Sequence, residues 1–241
     1  MKASGTGSPK SSGQGLRVSN HGLLSWLGQD CPLCGASSKT ELLCAPCASD
    51  LPALPEHCPR CALPTRGGSV CGSCIARPPH YDGTTALWLY EFPCDRLVQA
   101  LKYRAQLALA GFFARTLASR SLPELDLVLP MPLHPRRLAE RGFNQAQEIA
   151  RLLARHLGKP LEPQGARRVK DTPPQAELPV EERAKNVRGA FVCELDLGGA
   201  SVAVVDDVMT SGTTLDELAR VLKRAGAARV ENLVIARTVL R

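Results

Sequence analysis

Eight of the ten cysteines in this 241-residue chain fall into four Cys-x-x-Cys pairs in its first third: Cys31 and Cys34, Cys44 and Cys47, Cys58 and Cys61, Cys71 and Cys74. The second tetrad repeats the first at one fixed offset, so Cys31 maps to Cys58, Cys34 to Cys61, Cys44 to Cys71 and Cys47 to Cys74. A tandem repeat of paired thiolates matches two tetrahedral Cys₄ zinc sites. The Pro and Gly in Cys31-Pro32-Leu33-Cys34-Gly35 suit the tight knuckle turns that such sites need. Disulfides are the competing chemistry, but no signal peptide is visible, and Cys94 and Cys193 stand apart as small core residues. A redox Cys-x-x-Cys would stand in one copy beside a βαβ unit. So little apolar surface accompanies the pairs that the module needs its ions to fold.

A second stretch constrains the remainder. From Val202 to Thr214 the chain reads Val-Ala-Val-Val-Asp-Asp-Val-Met-Thr-Ser-Gly-Thr-Thr. The opening run is apolar and unalternating, as in a parallel strand covered on both faces. Helical spacing follows at Leu215, Leu218, Ala219, Leu222 and Ala225. Thr214 and Glu217 fit a capping box, Lys223 and Arg224 suit the last turn, and Gly226 can end the helix. The hydroxyl-rich loop therefore lies at a helix N-terminus, where free N–H groups and the dipole favour an anion. Gly212 lets the backbone approach a phosphate that Thr210, Ser211, Thr213 and Thr214 can also hydrogen-bond. The lysine and glycine spacing of a nucleoside-triphosphate cradle are missing. Two adjacent carboxylates, Asp206 and Asp207, suit vicinal hydroxyls beside the phosphate instead. A plain strand, turn and capped helix would account for one hydroxyl, not for four preceded by two acids.

Punctuation divides the chain into a Gly/Ser-rich leader over residues 1–20, expected to be disordered, a Cys-rich module over 21–80, and one α/β domain over 81–241. Strands are expected at Gly83–Tyr90, Asp126–Met131, near Arg167, at Ala190–Cys193, from Val202, and at Arg229–Thr238. Helices are expected within Asp95–Arg120 and over Gln145–Leu157, the second stopped by Gly158 and Pro160. Such alternation implies a mostly parallel sheet with ligands outside the carboxyl ends of its strands. No span is long enough for a transmembrane helix, so a cytoplasmic protein without membrane insertion is expected.

The same rule selects a second loop. The strand at Asp126–Met131 runs into Pro132-Leu133-His134-Pro135-Arg136-Arg137, and Arg141-Gly142-Phe143-Asn144-Gln145 leads into the next helix. If both strand ends face one crevice, these arginines meet the phosphates of the ligand. Asn144 reads better as an N-cap, with Gln147 completing the box, than as a substrate contact. His134, flanked by prolines, is either a proton carrier or a turn residue. The formal net charge of +7 falls to roughly +3 once two zinc tetrathiolates of about −2 each are counted. Positive charge is concentrated between Arg136 and Lys170, although Arg151 and Arg155 fit the solvated side of an amphipathic helix.

The stretch Val204–Thr214 resembles the phosphoribosyl pyrophosphate (PRPP) signature of type I phosphoribosyltransferases. Joined to a double zinc ribbon, to Leu101-Lys102-Tyr103-Arg104 and to the Pro130–Arg137 and Arg141–Gln145 segments, it makes the chain resemble the ComF family from about Cys31 onward. The resemblance implies an α/β fold with a mostly parallel sheet of the type I phosphoribosyltransferase kind, preceded by the double zinc ribbon. It casts Asp206 and Asp207 as the catalytic, ribose-holding pair and Val208, Met209, Thr210, Ser211, Gly212, Thr213 and Thr214 as the PRPP loop. Pyrophosphate would fall to Lys102, Pro132, Leu133, His134, Arg136, Arg137 and Arg141. Two structural Zn²⁺ ions and a Mg²⁺ arriving with PRPP are the implied cofactors. The segment Lys170–Arg188, with Gln175, Arg183 and Asn186, matches the family pattern and is polar and Pro-containing, as a mobile flap would be. Ala105-Gln106 departs from the family, whose members often carry a glycine there.

Three functions fit, all tied by the resemblance to natural competence and DNA uptake. One is transfer of the phosphoribosyl group to an acceptor with release of pyrophosphate. Another is binding of single-stranded DNA, against which Phe143, Tyr103 and Trp88 make no stacking stripe. The third is a PRPP-sensing regulator without turnover. Protein partners of DNA uptake are compatible with each.

Overall fold

Runs of buried Val, Leu and Ile build the centre of the molecule. In the computed structural model, which describes residues 1, 29–39, 41–171 and 187–239, they form a four-stranded, all-parallel sheet ordered β1-β6-β5-β2. The strands are β1 (Gly83–Leu89), β2 (Leu127–Pro130), β5 (Ser201–Met209) and β6 (Arg229–Arg237). A short antiparallel ribbon, β3 (Ala166–Arg168) with β4 (Phe191–Cys193), stands beside it. The expected leader, and the flap residues Gln175, Arg183 and Asn186, lie outside the described residues.

Successive side chains of a strand point to opposite faces, and both faces of β5 are covered. Ala203 and Val205, with Leu233 and Ile235 of β6, pack against Phe113 and Leu117 of α4 (Ala108–Ala118) and Ile149 and Leu153 of α6 (Gln145–Leu157). On the other face, Val202, Val204, Val230 and Val234 meet Leu215, Leu218 and Leu222 of α7 (Thr213–Arg224).

The Cys-rich module closes the outer edge of β1. Leu89 and Thr84 donate their N–H groups to the carbonyls of Pro52 (3.0 Å) and Pro59 (3.1 Å), so the edge is not left open for other chains. The tandem repeat is literal in the backbone. Cys31 N–H bonds the Ala36 carbonyl and Cys58 N–H that of Leu63, both at 2.8 Å, and the short helices α1 (Ala45–Ser49) and α2 (Gly72–Ala76) follow at matching places.

Three expectations change. A helix, α5 (Pro135–Arg141), occupies what reads as loop, with Pro135 in its first turn and Gly142 at φ 82° ending it. The strand β5, expected to end at the two acids, runs through them to Met209. The Thr214–Glu217 capping box does not form. Gly212 takes the N-cap position of α7, and the Glu217 carboxylate accepts the Gly189 N–H (2.7 Å) and pairs with Arg220 (2.6 Å). Asn144 does cap α6, accepting from the N–H groups of Ala146 (3.0 Å) and Gln147 (3.4 Å). Among the described residues no helix is long and apolar enough to cross a membrane.

Candidate functional site

Each cysteine tetrad closes on itself. The four Sγ atoms of Cys31, Cys34, Cys44 and Cys47 lie within 4.8 Å of one another, as do those of Cys58, Cys61, Cys71 and Cys74. The Cys34–Cys44 and Cys61–Cys71 sulfurs are each 3.6 Å apart. Zinc–sulfur bonds of about 2.3 Å at a tetrahedral angle bring sulfurs to about 3.8 Å, whereas a disulfide needs about 2.05 Å. All ten cysteines are free, and the chain has two Cys₄ zinc-binding sites.

Parallel pairing of β2 with β5 brings their carboxyl ends side by side, and a cleft of about 370 Å³ opens there. Asp206 and Asp207 of β5 form its floor. The Asp207 carboxylate receives the Lys102 ammonium at 2.8 Å and the Gln145 side-chain amide at 3.0 Å. Lys102 arrives from the last turn of α3 (Cys94–Arg104), which Ala105 ends in a left-handed conformation, φ 50°. A glycine would take that turn without the Cβ penalty that Ala105 bears. Burial pulls the Lys102 ammonium down, but attraction to Asp207 outweighs it and leaves the group above its ordinary value.

Three arginines, Arg137, Arg141 and Arg168, line the same cleft as the acids. Arg141 donates to the Gln145 side-chain oxygen, so Gln145 relays between arginine and Asp207. Burial, and then the neighbouring charge of Arg137, holds Arg168 below the usual arginine value. Positive groups crowded this way favour an anion between them. Past β5, Gly212 at φ 81° opens the first turn of α7; a Cβ there would stand 2.6 Å from Met209 Cε and 3.1 Å from Tyr81 Oη. Both conformation and room therefore require glycine.

Of the expected ligand residues, Lys102, Pro132, Leu133, Arg137, Arg141, Asp206, Asp207, Val208, Thr210 and Thr214 line one cleft. Ser211 and Thr213 share a hydroxyl hydrogen bond of 2.9 Å on the turn beside it. The Met209 side chain is buried in the core below. His134 and Arg136 are engaged elsewhere. His134 caps α5 by accepting the Arg136 N–H (3.3 Å) and stands 3.7 Å from Asp171, while the exposed Arg136 guanidinium pairs with Asp171 (3.2 Å) and Glu140 (3.5 Å). Sequence reasoning missed Gln145 and Arg168 as cleft residues. Asn144 marked the helix start that aims Gln145 inward, whereas nothing in the sequence shows that β3 carries Arg168 to the cleft.

Burial, then the Asp207 charge, pushes the Asp206 carboxyl up to about 7. Between 3.8 and about 7 the folded chain therefore holds a proton that the unfolded chain has released, and stability falls as pH rises through that window. Asp206→Asn is expected to raise the melting temperature of the ligand-free protein at pH 8, by the equivalent of about 1–4 kcal/mol, with the gain shrinking toward pH 5. Melting curves at both pH values test this; a gain independent of pH would remove Asp206 as the titrating group.

The double zinc ribbon domain family matches residues 24–75, and the phosphoribosyl transferase domain family matches residues 139–238. The DNA utilization protein YhgH of Salmonella typhi is 34% identical over 206 residues, covering 82% of this chain and 91% of that protein. Competence protein F of Haemophilus influenzae is 29% identical over 235 residues, covering 92% of this chain and 93% of that protein. Among solved structures, the glutamine phosphoribosylpyrophosphate amidotransferase from B. subtilis, complexed with ADP and GMP, overlays on 52% of this chain at 23% identity and a TM-score of 0.37; the overlay spans a quarter (25%) of that longer chain.

Proposed function

The chain belongs to the ComF family, and from that premise we propose that it binds PRPP in the β2–β5 cleft and transfers the phosphoribosyl group to an acceptor nucleophile. One juxtaposition supports this above all. An acid pair, buried at Asp207 and half-buried at Asp206, and a hydroxyl-bearing helix N-terminus share a cleft with Arg137, Arg141 and Arg168. Such a division of charge suits a ligand with sugar hydroxyls in the middle and phosphates at two ends.

In this proposal the Thr210–Thr214 turn takes the 5′-phosphate, Asp206 and Asp207 hold the ribose hydroxyls, and the arginines take pyrophosphate. The bond from the anomeric carbon to the pyrophosphate oxygen breaks, and its electron pair leaves with pyrophosphate. A lone pair of the acceptor forms the new bond, and the acceptor gives its proton to solvent. Positive charge that builds on the sugar lies over the acid pair, while the arginines stabilise the departing anion. A Mg²⁺ carried in on pyrophosphate oxygens fits this reading. Mg²⁺ would supply charge neutralisation to the leaving group.

The names of the relatives, a DNA utilization protein and a competence protein, favour a role for this chemistry in handling imported DNA. A specific observation keeps single-stranded DNA as a second reading: Tyr103 is 74% exposed at the cleft, with the Arg141 guanidinium 5.7 Å from its ring centroid, a platform on which a base can stack.

PRPP with Mg²⁺ is expected to raise the melting temperature of the wild-type protein, and Asp206→Asn with Asp207→Asn to abolish that shift. An undiminished shift in the double variant would sink the ribose assignment. A shift obtained with a DNA single strand alone, fading steeply with salt and surviving the double substitution, would favour the second reading. Pyrophosphate release, screened against amines, nucleobases and nucleic acids, separates transfer from sensing.

A further inference from the structure

The two zinc sites stand in different relations to the cleft. The first tetrad packs with Leu42, Leu43 and Leu51 against Leu87 and Trp88. The second packs in the cluster that holds Tyr81, Met209 and Leu215, directly beneath the turn at the head of α7. Between this second ribbon and the turn lies Arg237, the last residue of β6 and only 2% exposed. Its Nε donates to the Cys61 carbonyl at 2.7 Å, and its Nη1 donates to the carbonyls of Met209 (3.0 Å), Thr210 and Thr238. One guanidinium thus joins a zinc-ligand residue to the last carbonyl of β5 and the first of the turn.

Two further ties run in parallel. The Tyr81 hydroxyl fills the space next to Gly212 that a Cβ would need. His80, just past the second ribbon, donates its backbone N–H to Asp216 in the first turns of α7 at 2.6 Å, and its ring nitrogen stands 3.1 Å from the same oxygen. A buried arginine whose acceptors sit on two different elements holds only while both are ordered. Free thiols of a small, loop-rich module order poorly without their ion.

We propose that Arg237 is a positioning residue that seats the Thr210–Thr214 turn on the second zinc ribbon, so that order at Cys58, Cys61, Cys71 and Cys74 sets the affinity of the turn for a phosphate ester, while among the described residues the first ribbon has no such hold. The affinity half of the proposal rests on the PRPP reading above; the seating half does not. Filling or emptying of one zinc site then tunes ligand binding across the fold. The two ribbons, alike in sequence, serve different ends.

The test uses full-length protein in four forms: wild type, Cys44→Ser, Cys71→Ser and Arg237→Lys. Zinc content, amide hydrogen exchange over residues 209–214 without ligand, and affinity for PRPP with Mg²⁺ are measured on each. Cys71→Ser is expected to speed exchange of the turn and weaken PRPP binding by about tenfold or more, whereas Cys44→Ser disturbs its own ribbon and leaves both within about twofold. Arg237→Lys keeps the charge but cannot span the same carbonyls, and is expected to loosen the turn with both zincs retained. This variant decides the matter if Cys71→Ser does not fold. Unchanged exchange of the turn in Arg237→Lys, or equal loosening by Cys44→Ser and Cys71→Ser, overturns the proposal. Absence of PRPP binding in wild type would defeat the function reading and leave the exchange pattern to decide the seating.

Discussion

Lys102→Met is expected to cost about 3–5 kcal/mol of stability at pH 8, because it strands a buried carboxylate. The Asp207 side chain is 6% exposed, and the Lys102 ammonium 2.8 Å away is the cation it meets directly. Gln145 supplies a neutral hydrogen bond at 3.0 Å and cannot offset a full charge, and Asp206 alongside adds repulsion. Asp207→Asn in the same chain removes the stranded charge, so the double variant is expected to recover most of the loss. Urea titrations of the two single variants and the double one give the coupling. A loss below about 1 kcal/mol in Lys102→Met, or a double variant no better than the single, would show that the pair does not hold the cleft floor together.

Removal of both zinc ions is expected to have the largest effect of all. Structural zinc binding contributes about 10–16 kcal/mol per site near pH 7, and little else orders a module whose apolar residues are few. With both ribbons melted, the damage should reach the outer edge of β1. Cys31, Leu43 and Leu51 share a core with Leu87 and Trp88, and the carbonyls of Pro52 and Pro59 cover the outer edge of β1. Native protein should carry two zincs per chain, and chelation should melt the module and expose a sheet edge that aggregates. Metal analysis and circular dichroism before and after chelation check this; fewer than two zincs per chain, or an unaltered melting curve after chelation, would contradict it.

Much of the architecture is legible in the chain because its signals are local. The unalternating apolar run at Val202 and the spacing through Ala225 fix a buried strand and its helix, and Gly158 ends α6 as its position suggests. The tandem cysteines make two sites because offset alone determines their pairing. The partners of the site residues are less legible. Lys102 reads as a phosphate contact and is found on Asp207, far along the sequence, because the last turn of α3 meets the carboxyl-terminal part of β5. His134 and Arg136 read as cleft residues, yet α5 carries them to Asp171. Pro135 and Gly142 announce that helix, but the run of arginines between them is as compatible with a loop. Thr214 and Glu217 satisfy the capping pattern, and Gly189 and Arg220 claim Glu217 instead. In each case a contact distant in sequence overrides a local rule.

The division of the cleft into sugar, phosphate and pyrophosphate regions is tested most directly by a crystal structure of the protein with PRPP and Mg²⁺. The expected result is one ligand with its 5′-phosphate on Thr210–Thr214, its ribose hydroxyls on Asp206 and Asp207, and its pyrophosphate toward Arg137, Arg141 and Arg168. An empty cleft at saturating ligand, or PRPP bound away from Asp206 and Asp207, would contradict it.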